Sequence, residues 1–321
     1  MKPILEVKNL TKVFHVYSNP FLPFAAKAIP AVNQVSFSVQ KGDTLGIVGE
    51  TGCGKSTLGR MIVKLYPPTS GEVILDGVPV SSMTENEFRP LRKKIQMIFQ
   101  DPYLSLDPRM TAGEIIGESY KIHNMAGQMK DLCTLEAEMM QMVGLNSEQL
   151  NRYPHEFSGG QRQRIGLARA LAVGAQVIIC DEPVSALDVS IQAQIINLFK
   201  EIQDRLTLTY LFISHDLAMV KYISTHVAVM YLGRIVEMAT RDELFAHPVH
   251  PYTQMLLQAV PEPDPAKEKA KKHEIWTEIA EKQPSPCSFF ARCKRSDRSC
   301  HQGLPGLHEI GPGHQVACWK A

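Results

Sequence analysis

The sequence has no long hydrophobic run. Its longest apolar stretches, such as residues 171–180, are interrupted by small or polar residues and fall short of the roughly 20 residues that cross a bilayer. A strand pattern begins within the first seven residues, without the apolar core of a signal peptide. We therefore expect no membrane-spanning segment and a protein that stays in the cytosol.

The sequence also lacks an excess of either charge. It has 34 Lys and Arg residues against 33 Asp and Glu residues, for a formal net charge of +1. This balance argues against nucleic acid as a partner, although it leaves a local basic patch open. At 321 residues, the chain is long enough for one large α/β domain with a small appendage.

Cysteine is sparse in most of the chain and concentrated at its end. Three cysteines are scattered through the main body, where we expect each to be a small buried hydrophobe: Cys53, Cys133 and Cys180. The other four fall within the last 35 residues: Cys287, Cys293, Cys300 and Cys318. This clustering calls for a separate explanation.

Residues 49–57 satisfy the pattern G-x-x-x-x-G-K-[ST] between a predicted strand at 44–48 and a predicted helix at 58–65. Glycines let such a loop turn its N–H groups toward a polyphosphate. Lys55 is predicted to reach the β- and γ-phosphates and the Ser56 hydroxyl to bind Mg²⁺. The alternative is a glycine-rich turn that binds nothing. The candidate ATP-binding residues here are Gly49, Glu50, Thr51, Gly52, Cys53, Gly54, Lys55, Ser56 and Thr57.

Polar residues end three further predicted strands. Asp181 and Glu182 end the apolar strand at 177–182, Gln100 follows the strand at 95–99, and His215 follows the strand at 209–213. We predict that Asp181 and Gln100 hold Mg²⁺, or Gln100 the attacking water. Glu182 would orient or deprotonate that water, and His215 would donate to the γ-phosphate. Each residue alone could equally be a solvated loop residue.

Two more features bear on nucleotide binding. Ser158, Gly159 and Gly160 precede a predicted helix at 165–172, which makes a second anion-binding helix start. The opening strands predict an antiparallel sheet beside the nucleotide site. Within it Phe14 is our first candidate to stack on adenine and Tyr17 the second, and packing inside the hairpin is an equal alternative for both.

Over roughly residues 4–260, these motifs in this order resemble the ATP-binding cassette (ABC) ATPase family. They comprise the phosphate loop, the glutamine loop at Gln100, the signature at 157–161, the acidic strand, the aspartate loop ending at Asp188, and the switch histidine His215. The signature has Phe157 where many members have Leu. The resemblance implies an α/β fold of the P-loop NTPase class: a RecA-like parallel sheet, an antiparallel β subdomain and an inserted α-helical subdomain at about 101–172.

The resemblance also implies a split site. Members dimerise head to tail, so the signature of one domain completes the ATP site of the other. The signature residues Ser158, Gly159, Gly160 and Gln161 would accordingly serve a partner's ATP. Hydrolysis would require a second copy or a related subunit.

A narrower resemblance rests on residues 49–60, 99–110 and 153–161, on His250-Pro251-Tyr252-Thr253, and on the cysteine tail. It is to the oligopeptide/dipeptide importer ATPases, the OppF/DppF branch that also includes nickel importers. It implies a peripheral subunit on the cytoplasmic face of the membrane, with a second, D-type ATPase, two permease subunits and an extracytoplasmic binding protein. The alternatives are an importer of nickel or another small solute, a soluble cassette acting on nucleic acid or ribosomes, and a nucleotide-binding regulator without turnover.

A proline-rich stretch at 261–265 predicts a boundary between a nucleotide-binding domain at 1–260 and a cysteine-rich extension at 261–321. The family resemblance implies a [4Fe–4S] cluster held by Cys287, Cys293, Cys300 and Cys318. Zinc is a weaker alternative because the spacing lacks paired C-x-x-C motifs. Disulfides or four unligated thiols are the remaining possibilities.

Overall fold

The computed structural model describes residues 2–17, 26–123, 131–259 and 286–321. Its strands are β1 (Leu5–Tyr17), β2 (Ala26–Val39), β3 (Thr44–Val48), β4 (Ser70–Leu75), β5 (Val78–Pro79), β6 (Ile95–Ile98), β7 (Val177–Asp181), β8 (Thr209–Ile213), β9 (His226–Tyr231), β10 (Arg234–Thr240), β11 (His308–Gly311) and β12 (His314–Val316). Its α-helices are α1 (Lys55–Ile62), α2 (Glu85–Phe88), α3 (Pro102–Ser105), α4 (Ala112–Ile122), α5 (Leu132–Met142), α6 (Gly159–Ala172), α7 (Val189–Leu206), α8 (Leu217–Ile223), α9 (Arg241–Ala246) and α10 (Pro251–Gln258).

A mixed sheet in the order β11-β12-β10-β9-β3-β8-β7-β6 forms the centre of the molecule. Its strands β9, β3, β8, β7 and β6 are parallel. In β7, Ile178 and Cys180 join the hydrophobic core on one face, while Val177 and Ile179 join the core on the other. Because successive side chains of a strand point to opposite faces, a strand covered on both sides must be apolar throughout, as β7 is until Asp181.

A second, antiparallel sheet has the order β2-β1-β4-β5. Leu5 and Val7 of β1 share one hydrophobic core with Leu58 and Met61 of α1. The helix that follows the phosphate loop therefore lies between the two sheets. The antiparallel sheet predicted beside the nucleotide site is present.

Helices α4, α5 and α6 pack together on the other face of the central sheet, through Ile115, Met140 and Ile165 among others. A capping box starts α4: Thr111 Oγ1 accepts the Glu114 N–H, and Glu114 Oε2 accepts the Thr111 N–H. These helices lie within the subdomain predicted at about 101–172, of which residues 124–130 are outside the described residues.

The end of the chain adds strands to the central sheet. Strand β12 pairs antiparallel with β10, with Val316 opposite Glu237, and β11 pairs with β12. Glu237 is fully buried, and its Oε1 lies 2.8 Å from Nε2 of the buried His314. The predicted boundary at 261 falls outside the described residues.

The prediction that the three scattered cysteines are all buried is wrong for one of them. Cys53 and Cys180 are buried, but Cys133 is exposed. The buried residues of α5 are Met139 and Met140 near its C-terminal end, whereas Cys133 lies in its first turn. Within the described residues, no helix is both long enough and apolar enough to cross a membrane.

Candidate active site

The phosphate loop connects β3 to α1, as the sequence pattern predicts. Gly54, which precedes α1, has a φ of +107°. A Cβ on this residue would lie 2.1 Å from the Ala31 carbonyl oxygen, so both the backbone conformation and the close approach of β2 require glycine. The loop thereby brings its N–H groups to the N-terminus of α1, where the helix dipole favours an anion.

Lys55 is buried at the start of α1. Its Nζ donates to the Gly49 carbonyl oxygen at 2.7 Å and to the Glu50 carbonyl oxygen at 3.0 Å. The loop's own carbonyl groups therefore hold the ammonium group beside the cavity. An ammonium in this position is placed to interact with a phosphate.

Asp181 is fully buried at the end of β7. Its Oδ1 accepts a hydrogen bond of 2.7 Å from Ser56 Oγ, whereas its buried Oδ2 has no hydrogen-bond partner. Arg60 Nη2 is 3.9 Å from Oδ2, which is an ion-pair distance rather than a hydrogen bond. Burial raises the pKa of Asp181 above its usual value. An incompletely compensated carboxylate beside a serine hydroxyl is a donor set that fits Mg²⁺.

Glu182 lies at the same sheet edge, next to Asp181. Its Oε2 accepts a hydrogen bond of 2.9 Å from Gln100 Nε2, and its Oε1 lies 3.3 Å from His215 Nδ1. The backbone of Glu182 has a φ of +47°, a left-handed conformation that is uncommon outside glycine and often marks functional sites. Since β6, β7 and β8 are neighbours, their ends bring together three residues that are distant in sequence.

All of these groups except the fully buried Asp181 border one cavity of about 780 Å³. It is lined by Ala31, Thr51, Gly52, Gly54, Lys55, Ser56, Thr57, Gln100, Asp101, Glu182, Ser185, Ala186 and His215. Ala31 and Asp101 were not among the site residues predicted from sequence. Ser185 and Ala186 belong to the predicted aspartate loop, in which only Asp188 was named as a site residue. Ala31 carries no motif, and only the fold brings it from β2 to the phosphate loop.

Some predicted nucleotide-binding residues do not line this cavity. Gly49 and Cys53 are buried within the loop, and the Glu50 side chain pairs with Arg292 instead. The Phe14 ring is 5.9 Å from the Tyr66 ring in an edge-on arrangement, and Lys12 Nζ is 5.3 Å from its centre. Stacking of Phe14 on adenine therefore stays a prediction. The side chain of Tyr17 lies outside the described residues.

The signature residues do not line the cavity either. Ser158 is exposed and caps α6: its Oγ accepts the Gln161 N–H, and Gln161 Oε1 accepts the Ser158 N–H. A Cβ on Gly160 would lie 2.5 Å from Ile191 Cγ2 of α7. Glycine here lets the signature pack closely against α7, whose first turn follows the exposed Asp188. The N-terminus of α6 therefore does not border the cavity of its own chain.

All four cysteines of the tail line a second, much smaller cavity of about 20 Å³. Cys293 and Cys300 are buried and Cys287 and Cys318 half-buried, and none of the four is in a disulfide. Burial raises the pKa of the Cys287 thiol, and the three neighbouring cysteines add to this shift. Among residues 2–17, 26–123, 131–259 and 286–321, no group of three or more His, Cys, Asp or Glu side chains is arranged to hold a metal ion.

Comparison with known proteins identifies the family. The ABC transporter family matches residues 32–185, and the oligopeptide/dipeptide transporter C-terminal region matches residues 236–300. The oligopeptide transport ATP-binding protein OppF of Bacillus subtilis is 48% identical over 99% of this chain and 97% of its own length. The chain belongs to the ABC transporter family. AppF of the same organism, another oligopeptide transport ATP-binding protein, is also 48% identical, over 98% of this chain and 96% of its own length.

Solved ABC structures have the same fold. The ATP-binding cassette MJ0796, a dimer bound to ADP and Pi after hydrolysis, superposes with a TM-score of 0.65 at 27% identity and covers 74% of this chain and 98% of its own. CbiO1 of Clostridium perfringens, part of the transporter complex cbiONQ, superposes with a TM-score of 0.64 at 25% identity and covers 77% and 92%. The family resemblance seen in the motifs is thus confirmed, and this chain is an ATPase of the ABC family with a P-loop α/β fold.

Proposed function

We propose that this chain is the ATP-hydrolysing subunit of an importer for dipeptides and oligopeptides. The observation that carries the catalytic part is the position of Glu182, between Gln100 and His215 and beside Lys55 and Asp181. The peptide assignment rests on the oligopeptide transport relatives and on the matching C-terminal region.

The phosphate loop would bind the nucleotide. The N–H groups at residues 51–57 and the Lys55 ammonium would contact the phosphates. Ser56 and Asp181 would hold Mg²⁺, with Gln100 as a further ligand from the neighbouring strand. When bound, the cation supplies neutralisation of the charge that develops on the phosphates. With two of its three N–H donors on the Gly49 and Glu50 carbonyl groups, the Lys55 ammonium would give the third to a phosphate oxygen.

Glu182 would accept a proton from, or orient, the attacking water. In the present geometry Gln100 and His215 hold both oxygens of its carboxylate. Entry of the nucleotide would let Gln100 turn to the cation and His215 to the γ-phosphate. The three side chains would thereby couple water activation to the presence of the γ-phosphate.

The signature residues 158–161 would act on a nucleotide held by another subunit. They are exposed or half-buried except for Gly160, and none of them lines the chain's own cavity. The dimeric state of MJ0796 supports this arrangement. We propose a D-type ATPase as the partner, two permeases that receive the motion, and an extracytoplasmic protein that delivers the substrate.

The catalytic proposal is tested by replacing Glu182 with Gln in the assembled complex. We expect hydrolysis to fall by about 10²- to 10⁴-fold, the range for loss of a general base, while Mg-ATP affinity stays the same. Glu201→Gln, on the exposed face of α7, is the matched control and should hydrolyse ATP normally. Undiminished turnover in the Glu182 variant would refute its assigned role.

The transport proposal is tested by purifying the tagged full chain from membranes and by measuring uptake in cells that lack it. We expect a second, non-identical ATPase and two permeases to co-purify, and uptake of a labelled tripeptide to be lost. Loss of Ni²⁺ uptake alone would favour the nickel alternative. Co-purification of RNA or ribosomes without permeases would favour the nucleic-acid alternative.

We further propose that the four tail cysteines hold a [4Fe–4S] cluster. The convergence of four thiols on one cavity supports a thiolate-ligated group. The free space of about 20 Å³ requires the thiols to move apart for a cluster, whereas a single zinc ion would need less room.

Metal analysis of anaerobically purified protein distinguishes these two ligands. The cluster proposal expects about four irons per chain and an iron–sulfur absorption band. Both should be lost in Cys300→Ser and retained in the exposed control Cys133→Ser. Zinc in place of iron, or no metal, would contradict it.

A further inference from the structure

The phosphate loop is in direct contact with the cysteine tail. The Glu50 carboxylate accepts two hydrogen bonds from Arg292, with Nη1 to Oε2 and Nη2 to Oε1 both at 3.0 Å. Arg292 ends a short 3₁₀ turn, Phe290–Arg292, immediately before Cys293. Two parallel N–H···O bonds fix both the distance and the orientation of the groups that they join. The tail therefore holds the second residue of the phosphate loop from outside the nucleotide cavity.

A second contact holds the backbone of the same residue. The Glu50 N–H donates to Tyr252 Oη at 2.9 Å, and Tyr252 is fully buried. Its ring lies 4.5 Å from the Tyr231 ring and 5.6 Å from the ring of Phe289, which belongs to the tail. Arg292 itself lies 5.8 Å from the centre of the Phe289 ring. Residues of the tail and of α10 thus fix Glu50 by both its side chain and its main chain.

The position of Glu50 bears directly on the nucleotide site. The Glu50 carbonyl oxygen is one of the two groups that hold the Lys55 ammonium, and the next two residues, Thr51 and Gly52, line the cavity. A loop that is already ordered binds a ligand at a smaller entropic cost than a loop that must be ordered during binding. The side chains of Arg292 and Glu50 are 20% and 42% exposed, so water weakens their pairing without abolishing it.

We propose that Arg292 is a positioning residue for the phosphate loop and that the tail sets the nucleotide affinity of this subunit through the Arg292–Glu50 pair. This inference rests on the proposed function, because it presupposes that the cavity binds Mg-ATP. Arg292 does not line the cavity and touches no reacting group. It reaches the phosphate loop through Glu50, and its Nη2 also contacts Met255 Sδ of α10 at 3.3 Å.

The test compares Mg-ATP binding by the full chain and its Arg292→Gln variant, using a fluorescent ATP analogue, and then steady-state hydrolysis in the assembled complex. We expect Kd and KM to rise about fivefold, as for loss of a partly exposed bidentate ion pair. We expect kcat to change by less than about twofold, because no contact to the transition state is removed. Arg292→Lys keeps the charge without the two-pronged geometry and should restore part of the affinity.

The matched control is Arg298→Gln, which removes an exposed arginine from the same tail. Its affinity should equal that of the wild type. A decrease as large as that of Arg292→Gln would attribute the effect to the charge of the tail rather than to the pair, and would overturn the proposal.

Glu50→Gln breaks the pair from the loop side and leaves the tail sequence intact. The proposal expects this variant and the double variant to match Arg292→Gln, so that the two effects do not add. Amide hydrogen exchange should increase at residues 49–55 in all three. If Arg292→Gln failed to fold, Glu50→Gln would decide the question, and unchanged affinity in it would overturn the proposal.

Two different failures can be separated. If the wild-type chain does not bind Mg-ATP, the proposed function itself is wrong. A second outcome is that the wild type and both single variants bind Mg-ATP equally well, and amide hydrogen exchange becomes faster only in the tail. The Arg292–Glu50 pair would then only attach the tail to the main domain, and only this inference would be wrong.

Discussion

The nucleotide cavity and the cysteine cavity are built in opposite ways. The first encloses about 780 Å³ at the ends of three adjacent parallel strands, and its polar side chains hold one another in place. The second encloses about 20 Å³ among 3₁₀ turns and the end of a short hairpin. Its four thiols form no disulfide.

This difference shows which parts of the fold hold the binding side chains of each cavity in place. Strands buried on both faces give their ends little freedom, so the main chain that carries the nucleotide-binding side chains is positioned before any ligand arrives. The tail contributes few buried side chains of its own and depends on contacts with the main domain, such as that of His314 with Glu237. If the tail binds a metal group as proposed, the metal would itself help to fix the positions of the four thiols. A nucleotide, by contrast, would bind to a loop and strand ends that the fold already fixes.

Among the substitutions that test this difference between the two cavities, Asp181→Asn is expected to have the largest effect. Asn keeps the shape and the hydrogen bond from Ser56 but lacks the charge that fits a cation. We expect Mg²⁺-dependent hydrolysis to fall by about 10²- to 10³-fold, as measured in the complex with a Mg²⁺ titration. The exposed control Asp204→Asn should behave as the wild type.

The same substitution has a second readout in the nucleotide-free chain. Burial raises the pKa of Asp181, so its ionisation costs stability as the pH rises from the ordinary carboxyl pKa through the raised value. Asp181→Asn should remove this cost and raise Tm above that pH range. A lower Tm would mean that the carboxylate stabilises the empty site, contrary to a pre-formed cation site.

An intermediate effect is expected from His314→Leu, which removes one hydrogen-bond partner of the buried Glu237 carboxyl group and leaves the Val249 and His250 N–H groups. Loss of a hydrogen bond to a buried carboxyl group costs about 2 kcal/mol of unfolding free energy, here concentrated where the tail hairpin meets β10. Denaturant unfolding and proteolysis of residues 286–321 measure it. His308→Leu, at an exposed position of the same hairpin, should cost less than about 0.5 kcal/mol. Equal losses in both would show that the tail is not held through His314.

The smallest effect is expected from Phe14→Ala. If the ring stacks on adenine, ATP affinity should weaken by about fivefold, at the lower end of base–aromatic stacking, and Phe14→Tyr should preserve it. An unchanged affinity, with a small loss of Tm, would assign the ring to packing against Tyr66.

The parts of the candidate nucleotide site that were predicted from the sequence each follow a local pattern. A buried strand predicts where its polar end lies, and parallel strands bring Gln100, Glu182 and His215 to one edge. The glycine pattern of the loop has a direct stereochemical cause at Gly54. Motif order then indicated the family.

The remaining features depend on pairings over long distances. No local pattern shows that Ala31 of β2 borders the cavity, that β12 pairs with β10, or that Arg292 reaches Glu50, 242 residues away in sequence. The exposure of Cys133 likewise depends on which end of α5 packs against the other helices. Such contacts are fixed by the whole fold rather than by the composition of a segment.

The pairing of β12 with β10 has a practical consequence for protein production. A chain shortened to end at residue 259 would leave the main-chain N–H and C=O groups of β10 unpaired along one side, next to the buried carboxylate of Glu237. Unprotected strand edges recruit strands from other molecules. Chains shortened in this way should therefore aggregate, and a chain that keeps residues 286–321 is the better route to soluble material.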